Sequence, residues 1–397
     1  MSKQAVSGLI SPVHDSISPL FRFNSESAWL QGEIAEDVCT FTFGNPHDMP
    51  LAGFVEALRE AVIPQTKDWF AYTTHKPEAQ AAIAEQLNKR FGKHFEPHAI
   101  LMTNGAFAGL NVAIKALVEV GDEVIFMKPH WFAYEGMIIG ARAKAIKLPL
   151  KMKCFDLDLD AIEAAISPRT RAIIINTPHN PTGKIYSRET LAALADILEQ
   201  ASQRNGRTIY LISDESYNQI IFDDREFISP TTLYKSSILV YTFGKVLLTP
   251  SERLGYIALP KQMPDLEEVR EAINLTLFFS GWAYPNGSLQ YAIKDLLQLS
   301  IDINQLQTRR DILVKALIEI GYEPNYPEGT FYLLVKSPLE DAWTFMEHLA
   351  NYGVHCLPGM TFGLPDYFRI CLTASDDMVE RSIPRFARAF QDSGLKG

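Results

Sequence analysis

Cysteine is scarce in this chain of 397 residues: Cys39, Cys154, Cys356 and Cys371 are widely spaced, with no Cys-x-x-Cys pair. That spacing signals neither a disulfide framework nor a metal site, and the expectation is reduced thiols in the cytoplasm. Long apolar runs are missing too. The opening MSKQAVSGLISPVHDSISPL lacks the apolar core of a secretory signal, and no segment offers the roughly twenty apolar residues of a membrane span. Positive charge is not in excess: 37 Lys and Arg against 47 Asp and Glu leave a formal charge of −10, mixed along the chain. Nucleic acid and anionic membranes are therefore not expected partners. Internal repeats and low-complexity tracts are absent.

What is present is core. Apolar residues make up 47% of the chain and charged residues 21%, a globular composition, and the length suits two or three domains, with two flanking a cleft as the default. Between about residue 60 and residue 260, short β-rich runs alternate with helix-period stretches. This is the pattern of an α/β domain with a mostly parallel central sheet flanked by helices. AILMT, DEVIFM, AIIIN, TIYLIS and ILVYTF are the expected strands, each ending in a polar or Gly/Pro turn. GLNVAIKALVEV and RETLAALADILEQASQ, apolar at spacings of three and four, are expected helices. From about residue 290, QYAIKDLLQLSIDINQLQTRRDILVKALIEI reads as one long helix bridging two domains. FYLLVK, GVHCLPG and YFRICLTA, with AWTFMEHLANY and DDMVERSIPRFARAF, read as a smaller α/β unit. The expected division is 1–60 as an N-terminal arm and part of the small domain, 61–290 as the large domain, and 291–397 as the interdomain helix and small C-terminal domain.

The strand ends carry the chemistry. In ILMTNGAFAGLNVAIKALVEV a strand runs through Asn104-Gly105-Ala106 into a helix whose free amides and positive dipole end form an anion cup, although a glycine there also serves simply to turn the corner. KPHWFAY sets Trp131 and Tyr134 just past a strand, where a flat ring stacks on a flat ligand or merely fills a cleft. In IIINTPHNPTGKIY, Asn180 is pinned between prolines with its amide available to a ligand oxygen, or is an ordinary turn residue. YLISDESYNQIIF puts Asp214 and Glu215 after a buried strand, where a carboxylate needs a cationic partner or caps the next helix, with Tyr217 turned toward the same point. YTFGKVLLTPSERLGY joins a hydroxyl, Thr242, to an amine, Lys245, and a guanidinium suited to an anion, Arg253. Burial of a strand-end lysine lowers its pKa and makes it a candidate nucleophile; the alternative is a lysine that snorkels to water.

Taken in this order, Asn180-Pro181-Thr182-Gly183, Asp214-x-x-Tyr217 and Lys245 with Arg253-x-Gly255-Tyr256 resemble the aspartate aminotransferase superfamily. These are the class I and II aminotransferases, with the type I fold of pyridoxal 5′-phosphate (PLP) enzymes, and the resemblance covers most of the chain. It implies that Lys245 holds PLP as an internal aldimine and moves the proton between the substrate's α-carbon and the cofactor. It implies Asp214 on the pyridinium nitrogen, Asn180 and Tyr217 on the phenolic oxygen, and Trp131 stacked on the ring. The phosphate would rest on the amides of Gly105, Ala106 and Phe107, with Thr242 and Arg253 closing the site. Arg369, in YFRICLTAS, would clamp the substrate carboxylate; Gly44, in FTFGNPHDMP, would face the substrate; Tyr72 would reach the phosphate of the neighbouring subunit in a homodimer with shared sites.

The implied activity is ping-pong transamination between an amino acid and a 2-oxo acid, in amino acid metabolism. The same superfamily chemistry also serves PLP-dependent lyases, decarboxylases and oxidases. A PLP-binding regulator without turnover ranks last, because such proteins carry a winged-helix domain and the resemblance already begins by about residue 40. The chain departs from the family pattern at Pro77, where glycine is usual, at Gly244, where serine is common, and at Phe107, a position often polar. These departures put the standard substrate preferences in question. Arg22 and Lys76 are the candidate second cations for a dicarboxylate side chain, with a solvated surface charge as the alternative for each.

Overall fold

The computed structural model describes residues 6–27 and 37–394, so part of the expected N-terminal arm lies outside the described residues. An amphipathic helix, Ile10–Glu26, comes first and buries Leu20 and Phe23. The first strand, β1 (Cys39–Thr40), follows. Seven strands then build the large sheet: β2 (Ile100–Thr103), β3 (Glu123–Lys128), β4 (Lys144–Pro149), β5 (Thr170–Asn176), β6 (Tyr210–Asp214), β7 (Ser237–Thr242) and β8 (Gly255–Ala258). Their spatial order is β2-β8-β7-β6-β5-β3-β4. All pairings are parallel except those of β8, which runs antiparallel between β7 and β2. The parallel strands therefore end on one edge, where a crevice forms.

Strands covered on both faces need no polar alternation, which is why they read as short apolar runs. Val124, Phe126, Ile174, Ile212 and Val240 pack on one face with the helix Gly105–Leu117. Their neighbours point the other way: Ile125, Ile173, Ile175 and Leu211 into one cluster, Leu239 and Tyr241 into another. Two strands of this sheet escaped the sequence reading. In β4 the alternation is blurred because the strand lies at the sheet edge and is partly exposed, and β8 is too short to announce itself.

The stretch expected to be a single bridging helix is divided. Gly287–Tyr291 and Ile293–Leu296 are short, and the long helix starts only at Ile303–Ile320. Between them the chain dips so that the Ile301 N–H donates to the Val246 carbonyl (2.9 Å), and Asp302 then caps the new helix by accepting from the Gln305 N–H (3.0 Å). Asp302 with Gln305 three residues on is a capping-box signature inside the helical period. A tertiary hydrogen bond outweighs the continuous pattern here.

Residues from both parts of the chain meet in the remaining layer. β1 pairs in parallel with β11 (Val354–His355). An antiparallel sheet, in the order β12-β13-β10-β9, comprises β9 (Glu323–Pro324), β10 (Tyr332–Lys336), β12 (Leu357–Pro358) and β13 (Tyr367–Cys371). Phe331, Phe345, Phe368 and Phe386 form its core. No helix among the described residues is long and apolar enough to cross a membrane.

Candidate active site

A cavity of about 290 Å³ opens where the carboxyl edge of the large sheet meets the smaller sheet. Asp214, the last residue of β6, forms its floor. The carboxylate accepts hydrogen bonds from the Tyr134 hydroxyl (2.6 Å), the Ser216 hydroxyl (2.6 Å) and the Ser216 N–H (3.2 Å). Burial pushes its pKa up from the ordinary carboxylate range, while those bonds and the charge of Lys245 pull it back. Tyr134 is held neutral by its own burial and by the Asp214 charge, so it stays a donor.

Lys245 follows from the end of the neighbouring strand. Thr242 closes β7 and caps the short helix Phe243–Val246, its hydroxyl accepting from the Gly244 N–H and donating to the Leu254 carbonyl, each at 3.3 Å. One turn later the Lys245 ammonium lies 5.6 Å from the Tyr217 ring centroid and 5.7 Å from that of Phe331. Among the described residues no carboxylate forms an ion pair with it.

The anion cup lies beside it. Gly105 opens its helix at φ +75°, and a Cβ there would stand 2.7 Å from an Arg253 guanidinium nitrogen, so only glycine permits both the backbone angle and the arginine. Arg253 donates to the Pro250 carbonyl (2.7 Å), which fixes the guanidinium over the cup. Ala106 and Phe107, the next two residues, line the cavity.

Arg369, from the middle of β13, marks the far end. It is 6% exposed and donates to the Asn180 side-chain oxygen and the Thr42 carbonyl, both at 3.1 Å. Its guanidinium stacks 3.8 Å from the Tyr332 ring centroid. Its Nε is buried without a hydrogen-bond partner among the described residues, the condition of a donor waiting for an anion. Asn180 is itself oriented by its backbone N–H, which donates to the Asn176 side chain (2.6 Å). The Tyr217 hydroxyl donates to that of Tyr332 (3.4 Å), and burial raises its pKa far above the ordinary phenol value. Gly44 passes so close to this end that a Cβ would fall 2.6 Å from the Phe331 ring.

The sequence model of the family "Aminotransferase class I and II" matches residues 36–386. The chain belongs to the class I and II aminotransferases. Among curated relatives, the probable aspartate/prephenate aminotransferase of Thermus aquaticus is 29% identical over 362 residues, covering 89% of this chain and 92% of that protein. Among solved structures, an aminotransferase from Eubacterium rectale superimposes with a TM-score of 0.86 at 30% identity, covering 99% of this chain and 97% of the other. The aspartate aminotransferase of Thermotoga maritima gives 0.85 at 27% identity, covering 96% and 99%. The protein is thus a transaminase with the α/β architecture of these enzymes.

In this aminotransferase, Gly44, Ala106, Phe107, Trp131, Asn180, Asp214, Tyr217, Thr242, Lys245, Arg253 and Arg369 all line one cavity, with Gly105 packed directly behind Arg253. Tyr72 does not join them within the chain: it is 89% exposed and rests against Tyr284, 4.9 Å between ring centroids. Arg22 and Lys76 also stand elsewhere. Arg22 pairs with Glu26 (3.0 Å) and lies 4.3 Å over the Trp343 ring, and Lys76 lies 3.8 Å over Tyr291. The sequence reading missed the roles of Ser216 and Tyr332, and gave Tyr134 no link to Asp214. Ser216, two residues after Asp214, had a legible signal, since an aspartate readily accepts from the backbone two residues on. Tyr332 is distant in sequence and had none.

Proposed function

We propose that this aminotransferase carries PLP in the cavity and moves an amino group from an L-amino acid to a 2-oxo acid in two half-reactions of ping-pong order. The observation that carries the reading is Lys245, an ammonium group without a carboxylate partner among the described residues, lining one cavity with the buried Asp214 and the Gly105–Arg253 cup. The residues fit the cofactor. The cup and Thr242 suit its phosphate, Asp214 suits a ring nitrogen that carries positive charge, and the Lys245 amine suits its aldehyde. Trp131 offers a flat wall, and Asn180 and Tyr217 offer polar groups for a ring oxygen.

When bound, the group supplies an electron sink conjugated to the reacting carbon. The chain does the rest. Lys245 takes and returns the proton at the substrate's α-carbon, shielded by the Tyr217 and Phe331 rings. Arg369 binds the substrate's carboxylate through its unpartnered Nε side and so orients the α-carbon toward Lys245. Asp214, whose ionised form Tyr134 and Ser216 favour by donating to it, presents its carboxylate at the floor.

The enzyme is further proposed to be a cytoplasmic homodimer whose copies share their sites, with Tyr72 of each reaching the phosphate end of the other. Support comes from the exposed rings of Phe70, Tyr72, Phe278 and Phe279, an apolar belt that a second copy covers. Residues 61–290 form the cofactor-binding domain in this reading, and 1–60 with 291–397 the smaller one.

The test is the visible spectrum of the protein with PLP, for wild type and Lys245→Ala, followed by single amino acids without an oxo acid. A lysine-dependent band, bleached with one equivalent of oxo acid formed, is the expected result. Absence of the band removes the site assignment. Ammonia released over repeated turnovers would replace transamination by the lyase or oxidase alternative.

A further inference from the structure

Beside Arg369 the wall of the cavity is hydrocarbon. Leu357 is the register partner of Arg369 across β12 and β13, and the Phe362 ring centroid lies 6.0 Å from the guanidinium carbon. Phe43 lines the same region, held from behind by the edge of Phe23 at 6.0 Å. Phe107 also lines the cavity, 43% exposed and edge-on to Trp131, with centroids 5.0 Å apart at 85°.

Two polar side chains among these rings are already engaged. The Thr361 hydroxyl donates to the Pro358 carbonyl (2.8 Å). The His130 Nδ1–H donates to the Trp131 carbonyl (3.0 Å), and burial lowers the pKa of His130, so its ring is neutral at neutral pH. Among the described residues the only lysines and arginines lining the cavity are Lys245, Arg253 and Arg369. Arg253 is held over the anion cup and Lys245 faces the reacting carbon, so among the described residues of one chain Arg369 alone remains for a substrate carboxylate. The other candidate cations, Arg22 and Lys76, are engaged with Trp343 and Tyr291.

A substrate's α-carboxylate uses Arg369 fully. A second carboxylate would lose its hydration against Leu357 and the phenylalanine rings with no cation to meet it, which strongly disfavours binding. An aromatic ring in the same place buries its area and finds ring edges at favourable geometry. We infer that the amino donor carries an aromatic side chain, of the phenylalanine or tyrosine kind, and that dicarboxylic amino acids are poor donors; this rests on the proposed use of the cavity for an amino acid. Phe107, where the family often has a polar residue, is then a specificity-determining residue.

The inference is tested first without chemistry, by titrating the holoenzyme calorimetrically with 3-phenylpropanoate and with succinate, carboxylates that lack the amino group. The expected result is 3-phenylpropanoate tighter by on the order of 10²-fold; succinate equal or tighter overturns the inference, including through a cation brought by a second copy. Oxo acid formation from phenylalanine, leucine and aspartate follows. Phenylalanine should exceed aspartate by about 10²-fold in kcat/KM. Leucine at or above phenylalanine removes the aromatic assignment. Phe107→Ala, at a half-exposed position that leaves the core intact, should reduce the phenylalanine preference over aspartate roughly tenfold; an unchanged ratio removes Phe107 from the specificity wall. Tight 3-phenylpropanoate with no oxo acid from any donor supports the aromatic wall and strikes transamination instead. Preferred succinate with oxo acid from aspartate does the reverse.

Discussion

The Asp214 end of the cavity and its Arg369 end are built from different kinds of backbone. Asp214 closes β6, Thr242 closes β7 with Lys245 one turn on, and Gly105 follows β2, so a single sheet fixes all of them. There is no slack around them: a Cβ on Gly255 would lie 2.9 Å from the Gly105 Cα. The Arg369 end instead gathers Phe43, Asn180 and Phe362 from loops and a short turn around Leu357 and Arg369, ladder partners in the smaller sheet, with Arg369 hydrogen-bonded to Asn180 and the Thr42 carbonyl. The difference teaches where each property resides. In the proposed reading, transfer chemistry belongs to strand ends whose geometry the large sheet dictates, and selectivity to side chains that loops and the smaller sheet bring to the opposite wall.

If the two ends are separable, removing the amine should break one and spare the other. Lys245→Ala is expected to lower kcat about 10⁴-fold while leaving 3-phenylpropanoate affinity within roughly threefold, since the hydrogen bonds of Arg369 go to Asn180 and Thr42 and Lys245 is linked to it indirectly, through the Tyr217–Tyr332 pair. Steady-state kinetics and calorimetry on one preparation decide it. Loss of both properties would make the cavity one indivisible unit.

The reverse cut comes next in size. Arg369→Ala should lower kcat/KM about 10³-fold, chiefly through KM, because the carboxylate loses its bidentate donor and the Asn180 and Thr42 oxygens lose theirs. The Lys245-dependent absorbance band should persist. Arg369→Lys keeps the charge without the fork and should recover only part of the loss.

This asymmetry also decided what could be read from the sequence. The five parallel strands nearest the site, and the polar residues at their ends, follow from apolar runs that stop at Asn104, Lys128, Asn176, Asp214 and Thr242. Lys245 and Arg253 came with them because they lie within one short stretch. Leu357, Phe362 and Phe43 carry no such mark, since an apolar residue between two layers looks the same in sequence as one in a core. The division of the helix before Ile303 was hidden for a related reason: the Ile301–Val246 hydrogen bond is tertiary. Tyr72 stands outside both ends of the cavity, exposed, and joins the site only in the proposed dimer.

A smaller effect sharpens the Asp214 end. Tyr134→Phe removes the hydroxyl that donates to Asp214 at 2.6 Å, so burial is less well opposed and the Asp214 pKa rises further. The carboxylate is then lost at a higher pH on acidification. The acid limb of the kcat profile should move to higher pH, with roughly tenfold lower kcat below neutrality and a smaller deficit above it. A uniform loss at every pH would indicate a packing role for Tyr134 rather than a role through Asp214.

The smallest expected effect concerns stability and lies just behind that floor. Glu215 is fully buried, accepts from Ser229 (2.6 Å), Asn218 (3.0 Å) and Ser213 (3.1 Å), and does not line the cavity. Burial raises its pKa to about 7 despite those donors and the charge of Arg90. Between the ordinary glutamate range and pH 7 the folded protein therefore holds a proton that the unfolded chain has released, so stability declines as pH rises through this window and levels off above it. The shift corresponds to a few kcal/mol at most, on the order of 1.4 kcal/mol per pH unit. Glu215→Gln cannot titrate, so its Tm relative to wild type should improve from pH 5 to pH 8, read by thermal unfolding at both values. If the difference in Tm is the same at both, Glu215 does not titrate there, and the rigidity of this end owes nothing to its protonation. If it changes as expected, the end that the sheet fixes most firmly also carries a built-in pH dependence, whereas at the Arg369 end burial holds His130 and His179 neutral.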